Sequence, residues 1–142
     1  MNMKKLLLLF CICALFACKK DLQDLADESF VLRKATISPA VVVNGKSETN
    51  AMTLYGGACL NYNYTLAFKA DGTYTIGSNG PLCDMMANTP GQKWTKEGDK
   101  VTLTHPYIPT IVATIDGDNL VYTTTSTNGG VTYSTVYKFE AN

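Results

Sequence analysis

The sequence predicts an all-β protein: a single small up-and-down antiparallel β-barrel of about eight strands. Three observations predict it. From Phe30 onward, apolar residues recur at every second position, the period of a strand with one buried face. Short turns bearing Gly, Asn or Asp separate these runs. No stretch of useful length shows the 3.6-residue spacing of a helix. A sandwich would also use short strands, but a meander of neighbouring hairpins favours a barrel.

The first element is an address. Lys4 and Lys5 precede an unbroken apolar run from Leu6 to Phe16. A membrane-spanning helix needs ~20 residues, so the run is too short to be a stable anchor. Residues 1–17 read as a secretory signal peptide. Its end, Leu15-Phe16-Ala17-Cys18, resembles the bacterial lipobox, which implies that Cys18 is acylated and becomes the first residue of the mature chain. The plainer alternative is an ordinary cleaved signal with an incidental Cys18. At ~0.8 kcal/mol per buried CH₂, two or three acyl chains hold a protein on a bilayer essentially permanently. The expected place is the cell envelope, lipid-anchored at the outer membrane on its periplasmic or surface-exposed face. Residues 18–29 then form the lipidated Cys and a flexible tether, though Leu22 and Leu25 could share one face of a short helical turn. The barrel domain takes residues 30–142.

The strands follow in order. Val31 to Ser38 makes the first, with poor alternation. In Asn61 to Lys69, Tyr62, Tyr64, Leu66 and Phe68 share one face, while Asn61, Asn63, Thr65 and Lys69 share the other. Ala70-Asp71-Gly72 turns the chain into a strand with Tyr74 and Ile76 inward. Trp94 lies between Lys93 and Thr95, and Glu97-Gly98-Asp99 leads to Val101 and Leu103. Ile111, Ala113 and Ile115 precede the turn Asp116-Gly117-Asp118-Asn119, after which come Leu120 and Tyr122. Asn128-Gly129-Gly130 opens the last strand, with Val131, Tyr133, Tyr137 and Phe139 on one face. The opposite faces are Thr, Asn and Lys; the chain has 18 Thr. A transmembrane barrel would put an apolar band outside and use strands of ~9–11 residues. Here the rings belong inside and the threonines in water.

The stretch Tyr64 to Tyr74 (Tyr-Thr-Leu-Ala-Phe-Lys-Ala-Asp-Gly-Thr-Tyr) is followed by Cys83, Gly91-Gln92-Lys93-Trp94, Lys100 to Thr104 and Asn119 to Tyr122. Together, over residues 59–140, these resemble the lipocalin-like domains of small bacterial lipoproteins. The resemblance implies a barrel closed on itself, with no established activity and no catalytic residues. It departs from the lipocalin pattern near the first strand. Phe30-Val31-Leu32-Arg33 stands where a Gly-x-Trp is usual, and the only Trp is Trp94.

Cys11 and Cys13 leave with the signal and Cys18 carries lipid, so Cys59 and Cys83 remain. Exported thiols oxidise, and these two pair as a disulfide or stay as two buried thiols. The resemblance points to the bridge. A loop of 24 residues closed this way is worth about 3.5 kcal/mol in chain entropy. The loop Gly77 to Gly91 carries Leu82, Met85 and Met86. It reads first as a plug over the core ends and second as a lid over a barrel mouth. The inward rings likewise read first as packing and second as the lining of a cavity. The candidate ligand set is Tyr62, Tyr64, Phe68, Tyr74, Met85, Met86, Trp94, Tyr133 and Tyr137.

Function is bounded by exclusion. Zero net charge without a basic cluster excludes nucleic acid. The single His, His105, has no nucleophile motif beside it, and Gly77-Ser78-Asn79-Gly80 is not the Gly-x-Ser-x-Gly elbow. Asp116-Gly117-Asp118-Asn119 lacks the further ligands of a calcium loop. No enzyme, cofactor or metal site is expected. The reading is a monomeric membrane-anchored lipoprotein whose barrel binds a small hydrophobic or amphipathic ligand. The alternative is an envelope module with a filled barrel that docks a protein or glycan.

Overall fold

The computed structural model describes residues 25–54, 57–61, 63–79 and 88–142. The expected barrel is there. Its strands are β1 (Ser29–Val43), β2 (Lys46–Asn50), β3 (Thr65–Phe68), β4 (Tyr74–Gly77), β5 (Lys93–Glu97), β6 (Lys100–Thr104), β7 (Ile111–Asp116), β8 (Asn119–Asn128) and β9 (Val131–Ala141). All pairings are antiparallel, in the order β4-β3-β1-β9-β8-β7-β6-β5. The two ends of that path meet at a bridge between Thr73 and Lys93. There the Trp94 N–H donates to the Gly72 carbonyl at 2.8 Å. The eight-strand sheet is thus nearly closed, and its edges are largely used up.

The poor alternation of the first strand has a cause. Opposite β9, the register passes from Leu32↔Phe139 to Lys34↔Lys138, leaving Arg33 as the extra residue of a bulge. Phe30 and Leu32 face inward before it, and Ala35 and Ile37 face inward after it. One inserted residue reverses the parity of every later side chain. Past this point β1 continues into a hairpin with β2 through Asn44 and Gly45, both at positive φ. Strand β2 is polar throughout, so period-two reading passes over it.

Two single-turn helices, α1 (Ala51–Leu54) and α2 (Gly57–Leu60), lead to β3. They too were missed, being shorter than any helical pattern. The run read as Asn61 to Lys69 shortens to Thr65–Phe68, because Asn63 sits at φ 50° and turns the chain. The tether also ends earlier than expected. Leu25 is 4 % exposed, the Asp27 N–H donates to the Phe68 carbonyl at 3.0 Å, and the Phe68 N–H donates to Glu28 at 2.8 Å. Residues 25–29 therefore belong to the barrel, and Cys18 and the remainder of the tether lie outside the described residues.

The core fills from the end where Leu25 enters. Phe68 packs edge-on against Phe30 (5.8 Å between centroids) and Trp94 (5.4 Å), with Tyr74 at 6.5 Å. The Trp94 Nε1–H donates to the Lys69 carbonyl at 3.1 Å, which satisfies the one polar atom of that ring. Val101, Leu103, Ala113 and Leu120 complete this packed half. Strands β3 to β7 have four to six residues, short of the ~9–11 of a membrane-spanning strand.

Candidate functional site

The opposite end of the barrel is built from tyrosines. Tyr64 enters ahead of β3, Tyr74 begins β4, Tyr122 lies in β8 and Tyr137 in β9. The rings stack: Tyr122 lies 4.9 Å from Tyr137 and 5.6 Å from Phe139, and Tyr64 is 6.0 Å from Phe139. Met52 of α1 and Leu60 of α2 pack onto the same cluster. Four phenol groups lie close enough together to act on one another's ionisation. Burial pushes Tyr64 up to about 12, with the phenols of Tyr137 and Tyr74 adding to the rise. Burial also raises Tyr122, again reinforced by Tyr64, Tyr137 and Tyr74. Tyr64, Tyr74 and Tyr122 therefore stay protonated at neutral pH and can donate hydrogen bonds.

Gln92 completes the group. Gly91 stands at φ 100°, and a Cβ there would meet the Pro106 ring at 3.1 Å. That turn aims Gln92 inward on the same face as Trp94, and its side chain is 3 % exposed. It lies beside the Tyr74 phenol and opposes the rise that burial causes there. Among the described residues its Nε2 forms no fully aligned hydrogen bond, the Tyr74 phenol being the group it acts on. A buried amide donor left unmet costs ~1–3 kcal/mol.

Of the candidate ligand set, Tyr64, Tyr74 and Tyr137 are brought together here. Phe68 and Trp94 belong to the same core cluster, with Phe68 against Tyr74 on one side and Trp94 on the other. Tyr133 packs in a second small cluster with Ala35, Ile37 and Ala51, which Tyr137 and Met52 join to the first. Tyr62, Met85, Met86 and Cys83 lie outside the described residues. Gln92 was missed as a site residue; its one signal is parity with Trp94, two positions on. Val131, read as inward, is exposed at the tip of the β8–β9 hairpin. His105 Nδ1 accepts the Tyr107 N–H at 3.1 Å, an ordinary turn contact. Among the described residues no cluster of three or more His, Cys, Asp or Glu assembles.

No family model matches the chain, and no curated protein or solved structure matches it.

Proposed function

We propose that the chain is a lipid-anchored envelope protein whose lipocalin-like barrel holds a small amphipathic ligand at its tyrosine end. The carrying observation is the buried Gln92 amide, whose Nε2 lies by the Tyr74 phenol without a fully aligned hydrogen bond among the described residues. A polar atom placed there on a ligand, a carbonyl or carboxylate oxygen, meets the Gln92 amide and a phenol hydroxyl together. The stacked rings offer the ligand's apolar part its surface. Anchoring rests on Leu15-Phe16-Ala17-Cys18 behind the apolar run. The Cys59–Cys83 bridge belongs to the same reading. The Cys59 carbonyl accepts from Ser78 Oγ at 2.8 Å, only five residues before Cys83.

Native mass spectrometry of the protein purified from its own membrane tests the reading. The expected spectrum shows acyl mass on Cys18 and a further small molecule that dissociates on activation. Gln92→Leu loses that molecule, yet the ligand-free variant unfolds at equal or higher urea, since it no longer buries a donor without a fully aligned hydrogen bond. A wild-type chain that carries nothing beyond the anchor refutes ligand binding. A Cys18→Ser chain that stays in the membrane fraction refutes the anchor.

A further inference from the structure

We propose that the open edge of β8 is a docking site for an extended, uncharged segment of a partner protein, which lies between β8 and β7 as an added strand. Strands β7 and β8 are paired only from Asp116↔Asn119 to Thr114↔Val121. Beyond that pair they part, although β7 reaches back to Ile111 and β8 runs on to Asn128. Each remains paired on its far side, β7 with β6 and β8 with β9.

Hairpin geometry says which groups face the gap. The closing pair of a two-residue hairpin exchanges both main-chain bonds, and the bonding side alternates from there. Counting from Asp116↔Asn119, the N–H and C=O of Thr123, Thr125 and Thr127 point toward β7. Counting from the other hairpin, Asn128↔Val131, sends the even-numbered residues of β8 to β9, in agreement. No strand among the described residues meets the odd-numbered groups. On the facing wall, the main-chain groups of Val112 point back across the same gap.

The gap is a groove of about 440 Å³ with Ile108, Pro109 and Val112 on one wall and Thr123 and Thr125 on the other. Long edges in natural sheets usually carry a Lys, a Pro or a bulge that blocks further pairing. Thr123 to Thr127 reads Thr-Thr-Thr-Ser-Thr, and its register with β9 runs unbroken. Apolar surface flanks it, with Tyr107 81 % and Val112 56 % exposed.

The occupant follows from charge and from where the chain leads. Among the described residues no charged side chain lines the groove, so the segment is uncharged, with small apolar residues against Ile108 and Val112. Only six residues separate Leu25 from Cys18, and Leu25 sits by the β7–β8 turn, at the far end of these strands from this groove. On the lipidation reading, which this step rests on, the bilayer is at that far end. A second copy fares no better. Antiparallel pairing of two β8 edges about a two-fold axis reverses the strand direction, so the two anchors point to opposite sides. Two chains in one leaflet cannot dock in this way. Strand addition by a separate polypeptide is what remains.

The probe is a capped, labelled peptide of residues 110–115, Thr-Ile-Val-Ala-Thr-Ile, whose last part β8 already accepts as a neighbour. Saturable binding to the full mature chain in detergent is expected by fluorescence anisotropy, with amide exchange slowed at Thr123, Thr125 and Thr127. Thr125→Pro removes an edge donor while sparing the β8–β9 ladder, and weakens binding by roughly tenfold or more. Thr125→Val keeps the donor and keeps the binding. Gln92→Leu leaves peptide binding unchanged, which separates this result from the interior ligand. The proposal is overturned if the peptide fails to bind, or if Thr125→Pro binds it as tightly as the wild type. A wild-type dimer in sedimentation that Thr125→Pro abolishes gives the edge to a second copy and overturns it equally.

Discussion

Tyr64 sits in an apolar wall with its hydroxyl among other phenols, and that position has a consequence in alkali. Below pH 10 the folded and unfolded chains both keep the Tyr64 proton, and its contribution to stability is complete. Between pH 10 and about 12 the unfolded chain loses a proton that the folded chain retains, so stability falls as pH rises. The loss attributable to this one group is about 2–3 kcal/mol. Urea midpoints measured across that window should drop for the wild type and drop less for Tyr64→Phe; equal slopes for both would remove Tyr64 as the cause. At this scale the sequence was legible in part. Alternation with Leu66 and Phe68 gave the direction of Tyr64 correctly. It could not show which inward rings meet, because Tyr74 and Tyr137 are far away in sequence and Tyr133 turns out to belong to another cluster. Gln92 carried almost no signal, since an amide is commonplace on a surface and only its burial makes it unusual.

Leu25 decides a question at the level of elements. Read from sequence, it belongs to a flexible tether. In the fold it is the first core residue, held where the Asp27 and Glu28 main chain pairs with Phe68. Leu25→Ala should therefore cost about 2–3 kcal/mol in urea unfolding, whereas Leu22→Ala should cost almost nothing if the tether begins there. An unchanged midpoint for Leu25→Ala would return this segment to the tether. The β3–β4 turn was read correctly because its chemistry is local: Asp71 Oδ1 accepts from the Thr73 N–H at 2.9 Å and the Thr73 hydroxyl at 2.6 Å. These bonds hold the Asp71 carboxyl below its usual range. The bulge at Arg33 was not legible, because a bulge shows only against a partner strand, and β9 lies a hundred residues further on. For the same reason β2 escaped notice: its polar side chains carry no pattern, and only pairing with the second half of β1 makes it a strand.

On the scale of the whole molecule, the barrel closes among the described residues through the Thr73–Lys93 bridge and the bonds from Trp94 to Gly72 and Lys69, so that seam is its weakest line. A Cys59–Cys83 bridge would tie α2 to the segment that joins β4 to β5 in sequence. Non-reducing intact mass should be lighter than the reduced mass by two hydrogen atoms, and Cys59→Ser with Cys83→Ser should cost about 3 kcal/mol; identical masses would leave two thiols instead. The Arg33–Glu140 ion pair, 3.8 Å long between half-exposed side chains, adds little. By itself the sequence determined the fold class, the inward direction of Tyr64, Phe68, Tyr74, Trp94, Tyr122 and Phe139 and the hairpin turns after β3, because each is written in neighbours one to four residues apart. Tertiary structure alone decided where Arg33 slips the register, that Leu25 plugs one end, that Gln92 is buried by the Tyr74 phenol and that β7 and β8 part after Thr114. Those outcomes depend on which distant strands share an edge, and hydrogen-bond pairing across a closed sheet has no counterpart in local spacing.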